Sequence, residues 1–228
     1  MIQADRTEVG VEIEVPGVGP VSGLLRRPAR AAHLLVFGHG AGAGMRHRFM
    51  EAASASLAER GVATMRYNFP YMEAGRRAPD RTPKLVATVR AAVEAARDLA
   101  DGLPVFAGGK SMGGRMTSTA AAETALPGVA GLVFFGFPLH GVGKPPSADR
   151  GIHLADVGLP ILFLQGTRDR LADLDFLRPL LHEISPAPVL HVVDGADHGF
   201  HMLKRSGRTD EDVVEELAAT AAAWMAST

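Results

Sequence analysis

The 228-residue sequence contains no cysteine. This absence excludes a disulfide framework, a thiolate nucleophile and a cysteine metal site. Its longest apolar run, AGLVFFGFPL, falls far short of the roughly 18 residues that a membrane-spanning helix requires. An excess of charge of one sign is also lacking, since 24 basic and 25 acidic residues leave a net charge of -1. We therefore expect a small-molecule substrate and neither nucleic acid nor a membrane as partner.

Composition and the N-terminal stretch define the class of protein. With 46% hydrophobic and 21% charged residues, the chain is typical of one globular domain spanning residues 1-228. The opening MIQADRTEVGVEIEV carries Asp5, Arg6 and Glu8 where a signal peptide would need an apolar core. We expect a cytoplasmic protein, for which a homodimer is compatible with the sequence.

Short apolar runs alternate with segments of helical period. VGVEIEV and VSGLLRRP predict an opening hairpin, and Thr82 is expected to cap a helix over TPKLVATVRAAVEAARDLA. Thr209 and Asp212 predict a capping box on the last helix. Six further runs are too uniformly apolar for strands with one wet face: HLLVFGHG, VATMRYNF, PVFAGG, GLVFFGF, PILFLQG and PVLHVVDG. Together they predict an α/β fold with a mostly parallel open sheet and helices on both faces.

One stretch, PVFAGGKSMGGRM, matches parts of two motifs. A phosphate-binding P-loop would need glycine at position 104, where the chain has Pro104. The GxSxG pattern of Gly109, Ser111 and Gly113 instead lies between a predicted strand and a predicted helix, as a hydrolase nucleophile elbow does. A serine at this position also commonly caps a helix N-terminus. Whether Ser111 is a nucleophile or a helix cap therefore depends on whether the chain also supplies the residues that would activate it.

A nucleophilic serine needs a histidine base and an acid that orients the histidine. Asp169 follows the strand run PILFLQG, and His198 follows PVLHVVDG. This order of serine, aspartate and histidine, each after a strand, matches the elbow-type hydrolases. The alternatives are less well placed: Asp173 and Asp175 fall inside a helical pattern, His191 lies within a strand, and His201 follows His198.

The segment DGADHGFH also raises the question of a metal site. Asp194, Asp197, His198 and His201 could offer ligands, but no third histidine stands at a fixed local spacing. We expect no metal and no cofactor.

The glycine-rich loop FGHGAGAG is expected to serve the oxyanion. Acyl transfer needs two backbone N–H donors, one from the residue after the nucleophile and one from an earlier loop. Met112 supplies the first, and Ala41 is the candidate for the second, with Gly42 as the alternative.

The same loop fits a dinucleotide-binding fingerprint. Gly38, Gly40 and Ala43 match GxGxxG/A, and Arg66 stands where a 2′-phosphate partner could be. That fingerprint normally opens the first βαβ unit, however, whereas two predicted strands precede it here. An NADP-binding oxidoreductase is therefore a minor alternative.

Loops after the strands are also expected to form the substrate pocket, although ordinary loop packing explains the same residues equally well. The candidates are His39, Tyr67, Asn68, Phe69, Leu139 and His140. Lys110 and Arg115 are expected to brace the elbow through carboxylates, with no catalytic role. Between GLVFFGF and PILFLQG lie only about twenty residues, rich in glycine and proline, which predict no lid domain.

The segments FGHGAGAGM, RYNFPY, GGKSMGGRM, GFPLHGVGKP, LQGTRD and GADHGF resemble the α/β hydrolases related to dienelactone hydrolase. The resemblance is to the branch that includes a testis-expressed protein and a chromatin acetyltransferase complex subunit. It implies the α/β-hydrolase fold, with Ser111 as nucleophile, Asp169 as acid and His198 as base. Dienelactone hydrolase itself uses a cysteine nucleophile, which this chain lacks.

The expected function is thus a serine hydrolase that forms an acyl-enzyme with a small soluble ester, lactone or thioester. Because the branch also includes binding scaffolds, a non-catalytic scaffold is the main alternative.

Overall fold

The computed structural model describes residues 8–228. The N-terminal charges at positions 5 and 6, which led us to expect no signal peptide, lie outside the described residues. The described chain forms one sheet of eight strands in the order β1-β2-β4-β3-β5-β6-β7-β8. The strands are β1 Glu8–Val15, β2 Gly19–Arg26, β3 His33–Gly38, β4 Val62–Tyr67, β5 Val105–Lys110, β6 Val129–Phe135, β7 Ile161–Gly166 and β8 Val189–Val193.

The opening hairpin and the buried strands occur as expected, except that the run PVLHVVDG forms β8, which lies at the edge of the sheet and is only partly buried. β1 and β2 form an antiparallel hairpin, and β2 also pairs antiparallel with β4. From β4 through β3, β5, β6 and β7 to β8, every pairing is parallel. β4, β5 and β7 are buried along their whole length, because helices cover both faces and leave no wet side.

Within residues 8–228, the chain forms six α-helices. They are α1 Arg48–Glu59, α2 Pro70–Glu73, α3 Thr82–Leu99, α4 Met112–Glu123, α5 Leu174–His182 and α6 Asp210–Met225. α1 and α6 meet in one core cluster, which contains Leu57 and Leu217. α3 and α4 belong to the cluster on the other face, which contains Val89 and Met116. The α/β sandwich predicted from the sequence is therefore confirmed.

The ends of two helices test the capping predictions. Thr209 and Asp212 form the expected capping box at the start of α6. The prediction for α3 is wrong by one residue, since Arg81 is the N-cap and Thr82 is already helical. The Arg81 carbonyl accepts the N–H groups of Lys84 and Leu85, which draws the helix start one residue earlier.

The connection from β6 to β7 contains no lid domain, as expected. Its only regular element is a 3₁₀ helix at Asp149–Asp156. Throughout residues 8–228, no helix combines the length and apolar character needed to cross a membrane.

Candidate active site

Ser111 occupies a sharp turn between β5 and α4. Its backbone has φ 50° and ψ -112°, a conformation that is strained for a residue with a side chain. The neighbouring glycines make the turn possible, because a Cβ on Gly113 would lie 2.2 Å from the Gly38 carbonyl oxygen, and one on Gly109 would lie 2.4 Å from the same atom. The serine makes no side-chain capping bond to α4, so its hydroxyl is not engaged as a helix cap.

Three side chains from the ends of β5, β7 and β8 meet at this turn. Nε2 of His198 lies 2.8 Å from Ser111 Oγ, and Nδ1 of His198 lies 2.7 Å from Asp169 Oδ2. The Asp169 side chain is fully buried, while the His198 side chain is 25% exposed. Because a carboxylate only accepts, Nδ1 carries the proton and Nε2 is free to accept one from the serine.

A residue that the sequence did not single out holds Asp169. Gln165 is fully buried in β7, and its Nε2 donates to Asp169 Oδ2 at 2.5 Å. Its Oε1 accepts the N–H of Phe137 at 3.0 Å, which fixes the orientation of the amide. The other carboxylate oxygen, Oδ1, accepts the N–H of Leu171 at 2.7 Å. The only sequence signal was a polar residue in an otherwise apolar strand run.

A second serine, Ser118, also contacts a histidine. Its Oγ lies 2.8 Å from His153 Nε2 and donates to the Arg115 carbonyl at 2.9 Å. Ser118 is fully buried, and no carboxylate within residues 8–228 pairs with His153 as Asp169 does with His198. Since the Ser118 hydroxyl already donates its proton to a carbonyl, it is not activated as a nucleophile. The Ser118–His153 pair instead joins α4 to the 3₁₀ helix.

The glycine-rich loop after β3 lies beside Ser111. A Cβ built on Gly40 would be 3.8 Å from Ser111 Cβ. Neither Ala41 N–H nor Met112 N–H donates a hydrogen bond to another residue of the described chain. Gly42 N–H, the alternative donor, is engaged by the Tyr71 hydroxyl at 3.2 Å. The N–H groups of Ala41, in the loop, and of Met112, at the start of α4, are thus both without a hydrogen-bond partner in residues 8–228.

His39 connects this loop to Phe69 through two hydrogen bonds of its ring. Its Nε2 accepts the N–H of Phe69 at 3.0 Å, so its Nδ1 carries the proton and donates to the Gly40 carbonyl at 2.8 Å. Burial lowers the pKa of His39 to about 4, so the ring is neutral near pH 7 and keeps this tautomer.

Several residues expected to line the pocket are instead in the core. His39, Tyr67, Phe69 and Leu139 are all 0% exposed. Tyr67, Phe69 and Leu139 belong to the core cluster that also contains Val89 and Met116. Two further candidates hold loops: Asn68 Oδ1 accepts the Met45 N–H at 2.9 Å, and His140, 7% exposed, bonds to the Gly141 carbonyl.

The alternative acids and bases have structural partners. Asp173 caps α5 by accepting the N–H of Asp175 at 2.9 Å. His191 lies 2.6 Å from Glu216, and His201 lies 2.9 Å from Asp210. Within the described part of the chain, no group of three His, Cys, Asp or Glu side chains could hold a metal ion.

A family model described as "Alpha/beta hydrolase domain" matches residues 31–226. The chain belongs to this family. Three solved structures share its α/β-hydrolase fold at low sequence identity. A dienelactone hydrolase from Anabaena variabilis has a TM-score of 0.76 and 21% identity, with 97% of this chain and 98% of that chain covered. A serine hydrolase without a lid from Xanthomonas campestris has a TM-score of 0.72 and 21% identity, covering 95% and 94%. An α/β serine hydrolase homologue from Coxiella burnetii has a TM-score of 0.74 and 20% identity, covering 96% and 99%.

The mouth of this α/β hydrolase is open. A cleft of about 610 Å³ beside the histidine is lined by Arg168, Arg170, Asp197, His198 and Gly199. A separate cavity of about 370 Å³ lies between α1 and α6 and contains none of Ser111, Asp169 and His198. Of these two cavities, only the cleft is lined by His198.

Arg66 does not fit a dinucleotide site in this α/β hydrolase. The side chain is fully buried and forms an ion pair with Glu8 of β1. It also donates to the Met45 carbonyl at 3.0 Å. A guanidinium held in this way cannot reach a 2′-phosphate at the surface, which argues against the NADP-binding alternative.

Proposed function

We propose that the protein is a serine hydrolase that cleaves small carboxylic esters through an acyl-enzyme. The observation that carries the proposal is the position of His198, whose two ring nitrogens lie 2.8 Å from Ser111 Oγ and 2.7 Å from Asp169 Oδ2. Hydrogen-bond contact of base with both nucleophile and orienting acid is what activates a serine.

In the proposed reaction, Ser111 Oγ attacks the ester carbonyl while His198 Nε2 takes the hydroxyl proton. The developing oxyanion accepts the N–H groups of Ala41 and Met112. The tetrahedral intermediate collapses, and the protonated imidazole gives its proton to the departing alcohol. Water then attacks the acyl-enzyme by the same route, with His198 as base, and releases the acid and the free serine.

The proposed substrate is a small soluble ester, lactone or thioester. The cleft beside His198 is open, and the β6–β7 connection offers only a 3₁₀ helix to cover it. An esterase from Butyrivibrio proteoclasticus, Est1E, shares the fold with a TM-score of 0.70 at 17% identity. At this identity the likeness supports the fold, so the ester class rests on the geometry of Ser111.

The finer family placement is also a proposal. We infer membership of the dienelactone-hydrolase-related branch from the six motif segments, and the similarity to the Anabaena variabilis enzyme is consistent with it. A single domain over residues 1–228, a cytoplasmic location and a homodimer stay predictions of the sequence.

Labelling with a fluorophosphonate probe, followed by peptide mass mapping, tests the proposal. The probe is expected to modify Ser111 alone, and Ser111→Ala is expected to remove both labelling and hydrolysis of p-nitrophenyl acetate. Stability should stay within about 0.5 kcal/mol, since one hydroxyl without a capping role is lost.

Ser118→Ala is the matched control, because Ser118 also touches a histidine but lacks the carboxylate. It should keep labelling and turnover. A folded wild-type protein that takes up no probe would point instead to a non-catalytic binding scaffold.

A further inference from the structure

Lys110 bonds to the main chain of the candidate base, and not to a carboxylate as the sequence led us to expect. It is the last residue of β5, directly before Ser111. Its Nζ donates a hydrogen bond of 2.5 Å to the backbone carbonyl oxygen of His198, and no other donor of the described chain reaches that oxygen. Two adjacent residues therefore bind one histidine, at its main chain and at its ring.

The ammonium group lies in apolar surroundings. Lys110 is 9% exposed, and its Nζ is 5.9 Å from the ring centroid of Phe49 and 5.4 Å from that of Phe200. These distances fall within the range of cation–π attraction. Burial lowers the pKa of Lys110 to about 8, against the attraction of Asp169 and Asp197. Methionine would fill the same space without desolvating a charge, so packing alone does not account for a lysine.

The loop that carries His198 is also held by hydrogen bonds among its own residues. Asp197 Oδ1 accepts the N–H groups of Gly199 and His201 at 2.8 and 2.9 Å. Phe200 adopts a positive φ of 63°, which is uncommon for an aromatic residue. The Lys110 bond is the contact that acts on the histidine main chain itself.

We propose that Lys110 is a positioning residue for the general base. It holds the His198 main chain so that the imidazole stays between Ser111 and Asp169, and it places a positive charge beside the ring. This inference rests on the proposed hydrolase function and adds a residue to its machinery.

The charge can be separated from the hydrogen bond by experiment. Lys110 Nζ and His198 Nδ1 both lie near Gly136. A Cβ on Gly136 would be 2.9 Å from Nζ and 3.6 Å from Nδ1, so the two nitrogens are at most about 6.5 Å apart. A cation at that distance disfavours a second positive charge on the imidazole. The other ionisable groups that face Nζ are Asp169 after β7, Asp197 after β8 and His47 before α1.

Lys110→Met and Lys110→Gln test the two effects. Without the cation, the acid limb of the kcat/KM profile should move to higher pH in both variants, by up to about one pH unit. Lys110→Met should also lower kcat by at least about tenfold, because the base is misplaced. Lys110→Gln keeps an N–H donor and should lose less in kcat, while KM for p-nitrophenyl acetate changes little in both.

Lys84→Met is the matched control, since Lys84 lies on α3 with its side chain 39% exposed, away from the site. It should leave kcat and the pH profile unchanged. If either Lys110 variant kept the wild-type acid limb and kcat, the positioning role would be wrong. Loss of turnover in proportion to loss of folded protein by circular dichroism, with the acid limb unmoved, would likewise overturn it. If Lys110→Met fails to fold, Lys110→Gln tests the proposal alone: a shift of its acid limb to higher pH supports the proposal, and an unchanged acid limb overturns it.

If the proposed hydrolase function itself were wrong, the fluorophosphonate probe would not label Ser111 in the wild-type protein. This outcome is distinct from a failure of the Lys110 proposal, in which wild-type Ser111 would still be labelled.

Discussion

Replacing Asp169 with asparagine changes one atom in a buried network whose donors can all be counted. The carboxylate accepts three hydrogen bonds: from His198 Nδ1 and Gln165 Nε2 at Oδ2, and from Leu171 N at Oδ1. An asparagine has a single acceptor oxygen and an NH₂ group that only donates. Whichever way the amide turns, its NH₂ therefore faces at least one N–H donor.

The two orientations have different costs. With NH₂ toward His198, the ring proton moves to Nε2, and the imidazole can no longer accept the Ser111 proton. With NH₂ toward Leu171, a buried backbone N–H is left unpaired, which costs about 1–3 kcal/mol of stability. Gln165 cannot relieve the first arrangement by turning over, because its Oε1 holds the Phe137 N–H.

We expect the first orientation to lower kcat by about 10⁴, as the same change does in the serine-protease triad. Hydrolysis of p-nitrophenyl acetate measures kcat, and urea unfolding measures stability. Asp194→Asn is the control. Asp194 accepts a hydrogen bond from the Thr167 hydroxyl at 3.1 Å, and the asparagine oxygen can still accept it. If kcat for Asp169→Asn stayed within tenfold of wild type and urea unfolding showed no loss of stability, neither orientation would be present and the assignment of the acid would be refuted. An equal loss of kcat in Asp194→Asn would also refute it.

Two other predictions concern the cleft and the loop beneath it. Across p-nitrophenyl acetate, butyrate, octanoate and palmitate, kcat/KM should not rise, because methylenes that stay in water forgo most of their roughly 0.8 kcal/mol burial gain; a steady rise toward palmitate would contradict the open cleft. Acid should destabilise the fold through His39, whose pKa burial lowers from 6.5 to about 4. The unfolded state takes up this proton first, so the contribution is complete above pH 6.5 and is lost as the pH falls toward 4, at up to about 1.4 kcal/mol per pH unit. The free energy of unfolding, measured with urea at pH 7 and pH 5, should depend less on pH in His39→Gln than in wild type. An identical dependence would contradict the role of His39 in acid destabilisation.

The strands could be predicted because burial on both faces leaves a direct trace in the sequence. β5 and β7 are buried at every position, and their apolar runs show it. The strand order could not be read in this way, since β3 pairs with β4 and β5 through contacts between distant residues. α1 was not predicted, because it begins with His47 as N-cap in place of the commoner Ser, Thr, Asp or Asn.

Within the candidate site, chain position and side-chain direction differ in how well they can be predicted. Ser111, Asp169 and His198 stand at strand ends, and parallel strands bring their carboxyl ends to one edge, so their proximity follows from the order of elements. The burial of Tyr67, the last residue of β4, does not follow from that order, since a side chain at a strand end can point toward the site or into the core. Gln165 was missed for a related reason: its partner Phe137 lies on another strand's loop, and such pairs leave no local pattern.

In the proposed mechanism, the contacts of His198 couple the nucleophile to the base. Ser111 and Lys110 are consecutive residues, and they reach the imidazole and the main-chain carbonyl of the same histidine. A small displacement of the end of β5 would therefore move the nucleophile and the anchor of its base together. Asp169 fixes the remaining freedom of the ring from β7, a strand separated from β5 by β6. On this geometry the serine–histidine distance depends on one strand end, whereas the tautomer of the ring depends on another. Lys110 variants should therefore alter the placement of the base and, through the lost charge, the acid limb of the pH profile, whereas Asp169 variants should alter the tautomer.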